Sequence, residues 1–273
     1  MKISIITVCF NAEKDIEKTL FSVLNQACED YEYIIVDGKS TDNTLSIIDK
    51  YIGDFIYKGI HIDVVSEQDD GIYDAMNKGI NRANGVWINF MNAGDTFYDQ
   101  NVLNRMKGYL QESKADIVYG NSFKYNRFYS YLQIPDDVAL LRRRMSFSHQ
   151  ASFVRAKVQK EHLFSLKYRI VSDYDLFLRL YLQGYKFEYV PELVCVFSLD
   201  GVSNSKLVDT HREIYTVRVA NGVVDPNSFA VKIEYVCGYI ERFLEMMLPN
   251  DLKWKLKAVK KKLMDTVKNN RDI

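Results

Sequence analysis

Cysteine is scarce and scattered. The 273-residue chain has four, Cys9, Cys28, Cys195 and Cys237, far apart and without a Cys-x-x-Cys pair. That excludes a disulfide framework and leaves no visible zinc site. Two of the four stand in apolar runs, so we expect free, buried thiols and a reduced, cytoplasmic setting. Proline is rare too, at 4, and none of the 13 glycines forms a Gly-x-Gly-x-x-Gly after the apolar run Ile3–Cys9. Low-complexity linkers are thereby absent, and a dinucleotide-binding dehydrogenase loses its fingerprint. No run reaches the ~20 apolar residues of a membrane-spanning helix. The opening Met-Lys-Ile-Ser-Ile-Ile-Thr enters a strand pattern directly, without the apolar core and cleavage site of a signal peptide.

An excess of one charge is also missing, since 36 Lys and Arg balance 36 Asp and Glu. The balance is uneven along the chain. Residues 249–273 hold eight basic against three acidic residues, leaving 28 against 33 elsewhere. A mildly acidic body argues against nucleic acid as a partner, whereas the basic tail suits an anionic surface. Aromatics are plentiful, with 19 Tyr and 15 Phe, enough to fill a core and line pockets.

Strand and helix patterns alternate at short intervals through the first hundred residues. Ile3–Cys9 reads as a strand, Asn11 as a cap, and Ile16, Leu20 and Leu24 as the buried stripe of a helix. Tyr31–Val36, Ile62–Val65 and Gly85–Met91 are the next strands. Helices through Leu45, Ile48 and Ile52, and through Ile72, Met76 and Ile80, separate them. This rhythm predicts a parallel sheet of right-handed βαβ units. Later patterns are looser: a helix at Val102–Leu110, a short strand at Ile117–Tyr119 and an edge strand at Arg127–Gln133. A helix at Asp173–Leu182 follows, then closing strands at Phe187–Val190 and Leu193–Phe197. Beyond about Asp209 the pattern is helical and amphipathic.

Polar turns close three successive strand patterns: Phe-Asn after Cys9, Asp37-Gly38-Lys39-Ser40-Thr41-Asp42-Asn43-Thr44, and Asn92-Ala93-Gly94-Asp95. In an open α/β sheet, ligands bind outside the carboxyl ends of the strands. Thr7 and Asn11 flank the first strand end and Asp37 ends the second. An aspartate there can accept from a pyrimidine imide or a ribose hydroxyl. Ser40 and Asp42 suit a helix cap equally well.

With Ser-Ile-Ile-Thr-Val-Cys-Phe-Asn at its opening and these turns at the strand ends, the chain resembles a family 2 glycosyltransferase of the GT-A fold. The likeness is most specific over residues 1–100 and looser to about 200. It implies a Rossmann-like, mostly parallel sheet flanked by helices over residues 1–205. Residues 1–100 would bind a nucleotide sugar, 101–205 would serve the acceptor, and 206–273 would form a helical, basic extension. Glu67-Gln68-Asp69-Asp70-Gly71-Ile72-Tyr73-Asp74-Ala75-Met76-Asn77 is similar to the form found in cell-envelope polysaccharide branches.

The resemblance also implies roles. Asp37, Asn11, Thr7, Ser40 and Asp69 would face the nucleotide, and Lys78 its phosphates or open solvent. Asp95 would bind Mg²⁺ or Mn²⁺, although Asn92 and Gly94 stand where the family carries further carboxylates. His149, Gln150 and Arg155 would lie near the acceptor and diphosphate. Asp173, in Ser172-Asp173-Tyr174-Asp175, would be the catalytic base, with Asp175 as the alternative; Ser172 replaces the family's Glu. The implied reaction transfers a sugar with inversion from a nucleoside diphosphate, uridine diphosphate by family weight, to a saccharide acceptor. In envelope pathways such an acceptor is often carried on a polyprenyl diphosphate. Two other readings stay open: a non-catalytic nucleotide-sugar-binding module, and a nucleotidyltransferase. The second lacks its glycine-rich basic loop, because Asn11-Ala12-Glu13 follows the first strand.

In the tail, Leu252, Leu256, Val259 and Leu263 share a helical stripe among Lys253, Lys255, Lys257, Lys260, Lys261 and Lys262, with Trp254 nearby. Such a helix suits the inner face of an anionic membrane through residues 252–263, or packing on the body, or a homodimer contact.

Overall fold

The computed structural model describes residues 2–199 and 206–249 and, in the tail, positions 252, 255, 256 and 259. The tail stripe predicted from sequence therefore lies largely outside the described residues. The chain divides into two compact units, Met1–Lys124 with Leu132–Ser198, and Tyr125–Tyr131 with Leu199–Ile273.

The first unit begins with the alternation that the sequence predicts. β1 (Ile3–Cys9), α1 (Ile16–Leu24), β2 (Tyr31–Asp37), α2 (Thr44–Tyr57), β3 (His61–Ser66), α3 (Ile72–Arg82) and β4 (Trp87–Phe90) follow one another. β1, β2 and β4 are buried along their whole length, as a strand covered on both faces must be. β1 pairs in parallel with β2 and with β4, and β2 with β3. The register sets Cys9 opposite Asp37 and Asp37 opposite Ser66, and Met91 N–H donates to Ile6 O. One edge of the sheet thus gathers the polar ends of all four strands.

Then the pairing reverses. β5 (Thr96–Phe97), α4 (Val102–Glu112), β6 (Ile117–Tyr125), β7 (Ser130–Gln133), β8 (Ser152–Arg155), α5 (Ala156–Glu161), α6 (Ser172–Leu182) and β9 (Phe187–Ser198) follow in the chain. Among the described residues nine strands form one sheet in the order β3-β2-β1-β4-β8-β6-β9-β5, with β7 paired to β6. β8 runs antiparallel to β4, with Trp87 opposite Arg155 and Ile88 opposite Val154. Its direction decides what reaches the ligand edge. The turn that precedes β8 arrives there, and the residue that ends β8 is carried to the opposite edge.

Trp87, Tyr31, Tyr33, Phe55 and Phe153 fill the core, each fully buried. Burying such a side chain is worth about 1.5–3 kcal/mol. Buried carboxylates are rarer and need partners. Glu32 is 1% exposed and lies 3.4 Å from Lys2 Nζ. Its Oε1 accepts from Ser4 Oγ at 2.6 Å, Asn84 N at 2.5 Å and Gly85 N at 3.0 Å. That one carboxylate ties the starts of β1 and β2 to the loop before β4.

Three sequence expectations change. Asn11 is not a helix cap: it has a positive φ of 48° and its Oδ1 accepts from Thr41 N at 2.9 Å, while α1 starts at Ile16. The short strand at Ile117–Tyr119 extends to Tyr125. The two closing strands are one, β9, running through an exposed Pro191. Cys9, Cys28 and Cys195 are buried free thiols and Cys237 is an exposed one.

In the second unit, α7 (Leu207–Ala220) and α8 (Phe229–Met247) form an antiparallel pair. Tyr235 packs between His211 and Tyr215, with ring centroids 5.2 and 4.3 Å away, and Arg218 meets Glu234 at 3.1 Å. Among the described residues no helix is long and apolar enough to cross a membrane.

Candidate active site

The loops after β1 and β2 are stitched together by short side chains. Asp37 is fully buried, and its carboxylate accepts from Ser40 N at 2.9 Å, from Ser66 Oγ at 2.7 Å and from Ser40 Oγ. Ser40 Oγ in turn accepts from Asn11 N at 2.7 Å. Asp37, Ser40 and Asn11 are therefore one unit that shapes the rim. Asp69 accepts from Gly71 N at 2.9 Å, and its other oxygen lies so close to Gly38 that a side chain there would have to push the Asp69 carboxylate aside. Phe10, 62% exposed, also borders Gly38. Phe10, Asn11, Gly38 and Asp69 thus meet at the rim beyond the ends of β1 and β2, with the exposed Phe10 ring at one side.

The turn after β4 is held from behind by α1. Thr19 Oγ1 donates to Asp95 O at 2.7 Å and accepts from Gly94 N at 2.9 Å. Gly94 takes φ 100°, a conformation that side chains resist, and this aims the Asp95 carboxylate inward. Burial pushes the Asp95 pKa up to about 6, against the pull of His149, Gln150 and Lys18. Gln150 Nε2 donates to Asp95 Oδ2 at 3.2 Å.

Gln150 and His149 sit in the 3₁₀ turn His149–Ala151 that leads into β8. Asn89, fully buried on β4, holds that turn: its Nδ2 donates to Gln150 O and to Ser152 O, each at 2.9 Å. His149 Nδ1 lies 3.2 Å from Asp173 Oδ2, and its Nε2 lies 3.5 Å from Asn92 Nδ2. A proton on Nδ1 pointing at the carboxylate leaves Nε2 as the acceptor. Asp173 opens α6, with Oδ1 accepting from Tyr174 N at 2.9 Å. The Tyr73 hydroxyl lies 3.1 Å from Asp173 Oδ1 and 2.7 Å from Ile170 O, so two acceptors share its proton. Burial alone would raise the Asp173 pKa. The His149 contact, with the Tyr174 and Tyr73 bonds, outweighs it and leaves the carboxyl below its usual range. A chain of contacts thus runs from Asp95 through Gln150 and His149 to Asp173. Beside Tyr73 opens a cavity of about 390 Å³, walled also by Asp70, Asp74, Tyr168 and Arg169.

Four residues singled out from sequence stand elsewhere. Thr7 is fully buried, with its hydroxyl donating to Met91 O at 2.6 Å and paired with Tyr33 at 2.8 Å, so it braces the sheet and faces no ligand. Arg155 ends β8 at the far edge, stacked 4.4 Å over Trp87 and donating to Ala115 O and Ser113 O. Lys78 lies 3.2 Å from Asp74 and 3.5 Å from Glu67 and donates to Gln68 O, so its charge is already matched. Asp175 is 4% exposed and paired with Arg179 at 2.9 Å, away from the His149 contact that Asp173 makes. Phe10, Tyr73, Asn89, Asn92 and Thr19 were not singled out. Of these, Phe10 and Tyr73 had a sequence signal as aromatics inside the quoted motifs, and Asn92 had one as the residue standing where the family carries a carboxylate.

Among the described residues no cluster of three or more His, Cys, Asp or Glu could hold a metal by itself. What is present suits a metal shared with substrate. Asn92 Oδ1 is buried without a hydrogen-bond partner, three residues before Asp95. One carboxylate and one amide oxygen are hard donors of the kind that Mg²⁺ and Mn²⁺ complete with phosphate oxygens.

Comparison with known proteins agrees with this geometry. The model of the family "Glycosyl transferase family 2" matches residues 4–179. A PGL/p-HBAD biosynthesis glycosyltransferase of Mycobacterium tuberculosis is 32% identical over 180 residues, 65% of this chain and 69% of the relative. The putative teichuronic acid biosynthesis glycosyltransferase TuaG of Bacillus subtilis is 34% identical over 113 residues, 41% of this chain and 44% of its own. Among solved structures, S. aureus TarS 1-349 in complex with UDP-GlcNAc superposes with a TM-score of 0.66 at 16% identity, covering 92% of this chain and 77% of that one. The mannosyltransferase PcManGT of Pyrobaculum calidifontis, in complex with GDP-Man and Mn²⁺, gives 0.62 at 17% identity, covering 90% and 70%. These two likenesses confirm the GT-A fold.

Proposed function

The chain belongs to glycosyl transferase family 2, and on that premise we propose that it transfers a sugar, with inversion, from a uridine diphosphate donor to a saccharide hydroxyl in cell-envelope polysaccharide synthesis. The observation that carries the reading is the chain of contacts from Asp95 through Gln150 and His149 to Asp173, which links the two carboxylates through one turn. Catalysis belongs to the first unit, whose residues supply all of these contacts.

The base of the donor stacks on Phe10 over Gly38, with Asp69 and Asn11 at its polar edge. Asp37 and Ser40 act from behind, by fixing that rim. The diphosphate lies over the Asn92–Asp95 turn. Asp95 and Asn92 Oδ1 would hold a divalent ion there, and its charge would offset that growing on the departing diphosphate. The acceptor enters through the cavity beside Tyr73. Its hydroxyl oxygen bonds to the anomeric carbon as the bond from that carbon to the diphosphate oxygen breaks, and the electron pair leaves with the nucleotide. The hydroxyl proton passes to Asp173. Against burial, the His149 contact and the Tyr174 and Tyr73 bonds hold the Asp173 pKa below its usual value, which favours its ionised form as the acceptor of the proton. Asp173 therefore takes the proton late, once the new bond has made the hydroxyl acidic. His149 keeps Asp173 oriented, and Tyr73, whose pKa burial and Asp173 push up, stays protonated as a donor. The acceptor in the cell is a lipid-carried sugar, and residues 252–263 hold the protein at the inner face of the membrane.

The experiment is transfer from a panel of UDP- and GDP-sugars, with and without Mn²⁺ or Mg²⁺, in wild type and two variants. Asp173→Asn should keep donor affinity and lose about 10²–10⁴-fold in turnover, the usual scale for a general base. Asp175→Asn should lose far less. A dead Asp175→Asn beside an active Asp173→Asn would reverse the assignment. Full transfer in excess chelator would remove the metal.

A further inference from the structure

α8 has two faces of opposite use. On one, Tyr235 packs against His211 and Tyr215, Glu234 meets Arg218, and Gly238 lies so close to the His211 ring that no side chain fits. On the other, Phe229, Ile233, Val236, Ile240, Phe243 and Met247 recur at steps of four and three. They are 77%, 47%, 52%, 51%, 44% and 68% exposed. No residue of this 19-residue helix is buried.

We propose that this stripe is the seam of a homodimer, in which α8 of one chain packs along α8 of a second copy. Three features select that occupant. First, alternating steps of four and three give a 3.5-residue period, which keeps this row facing one partner helix over five turns, with Leu244 and Met246, 60% and 48% exposed, flanking it near the helix end. A helix lying in a membrane interface presents a broader face and a basic polar side. Second, α8 carries Lys232 and Arg242 against Glu234, Glu241 and Glu245, so its polar side is acidic on balance and an anionic bilayer repels it. Third, six large apolar side chains about half exposed come to roughly 600 Å² per copy, and two copies together reach the lower range of stable interfaces. The stripe is a ridge of branched and aromatic side chains, Ile233, Val236 and Ile240 at its middle. Such a ridge meets its own copy across a two-fold axis, each residue finding the other's equivalent row.

The test is the mass of the full chain in solution by light scattering across a dilution series. Wild type should reach twice the 31.8 kDa of one chain. The double variant Ile233→Glu, Ile240→Glu should stay at one, with its circular dichroism unchanged. Glu241→Lys, beside the seam, should remain a dimer. Cys237, exposed and next to Val236, gives a readout that leaves the seam intact: a short bismaleimide should join two wild-type chains, and this product should vanish on dilution. Wild type that is monomeric at its highest soluble concentration and uncrosslinked at Cys237 overturns the proposal. So does a monomer that binds phosphatidylglycerol vesicles and loses them in the double variant, since the stripe would then meet lipid.

Discussion

Asn89 carries more of the site than its position suggests. It is fully buried in the middle of β4, and both its amide hydrogens go to the turn that presents His149 and Gln150. Replacing it with leucine keeps the volume and removes two donors from buried carbonyls. Each orphaned carbonyl costs about 1–3 kcal/mol, so Asn89→Leu should lower stability by roughly 2–4 kcal/mol. It should also lower turnover more than donor affinity, because the turn it releases serves Asp173. Urea denaturation and separate measurements of kcat and KM check both parts; equal falls in kcat and kcat/KM at unchanged fold would fit, and a change in KM alone would not. Asn89 was illegible in the sequence for a plain reason. In a strand buried on both faces, alternation no longer tells which side chain looks where. The same blindness placed Thr7 at the ligand when its hydroxyl is spent on Met91 and Tyr33.

At the scale of elements, the strand ends were legible and the reversals were not. Apolar runs closed by Asp, Gly and Asn marked β1, β2 and β4 and their polar rims, because such runs have few alternatives to a covered parallel strand. Arg155 was misplaced because nothing in Ser-Phe-Val-Arg announces that its strand runs backwards, and that direction sends its guanidinium to Trp87. Pro191 split β9 in the reading because a proline cannot donate to a ladder, yet it sits exposed within the strand. Gly38 belongs to this scale as well. Its bare α-carbon lets the β2 loop and Asp69 close on each other. Gly38→Ala should push Asp69 out of the rim and weaken donor binding about tenfold or more, a cost of about 1.4 kcal/mol or more. Calorimetric titration with the donor nucleotide is the measurement, and unchanged affinity would place the nucleotide away from this rim.

For the molecule as a whole, Glu32 sets an acid limit. Burial raises its pKa, but the bonds from Ser4 and the Asn84 backbone and the charge of Lys2 outweigh that and leave it lowered. A carboxylate with a depressed folded pKa contributes stability above its unfolded value, about 4.3, and that contribution is lost as pH falls through the folded value. Glu32→Gln should therefore cost most at neutral pH, and its gap to wild type should shrink as pH drops below about 4. Thermal unfolding of both proteins across that range reads the gap directly. A gap independent of pH would mean that Glu32 acts through shape and not through charge.

The placement of β8 between β4 and β6 also fixes a timetable. A ribosome delivers β1 to β4 as one uninterrupted stretch, and those strands need only each other to pair. The neighbour that closes the free side of β4 emerges much later, after β6 and β7, and brings His149 and Gln150 with it; Asp173 follows later still. An interrupted translation product therefore carries the rim proposed for the nucleotide but not the group proposed to take the proton, and the two halves of the proposed chemistry are joined only when the later strands arrive.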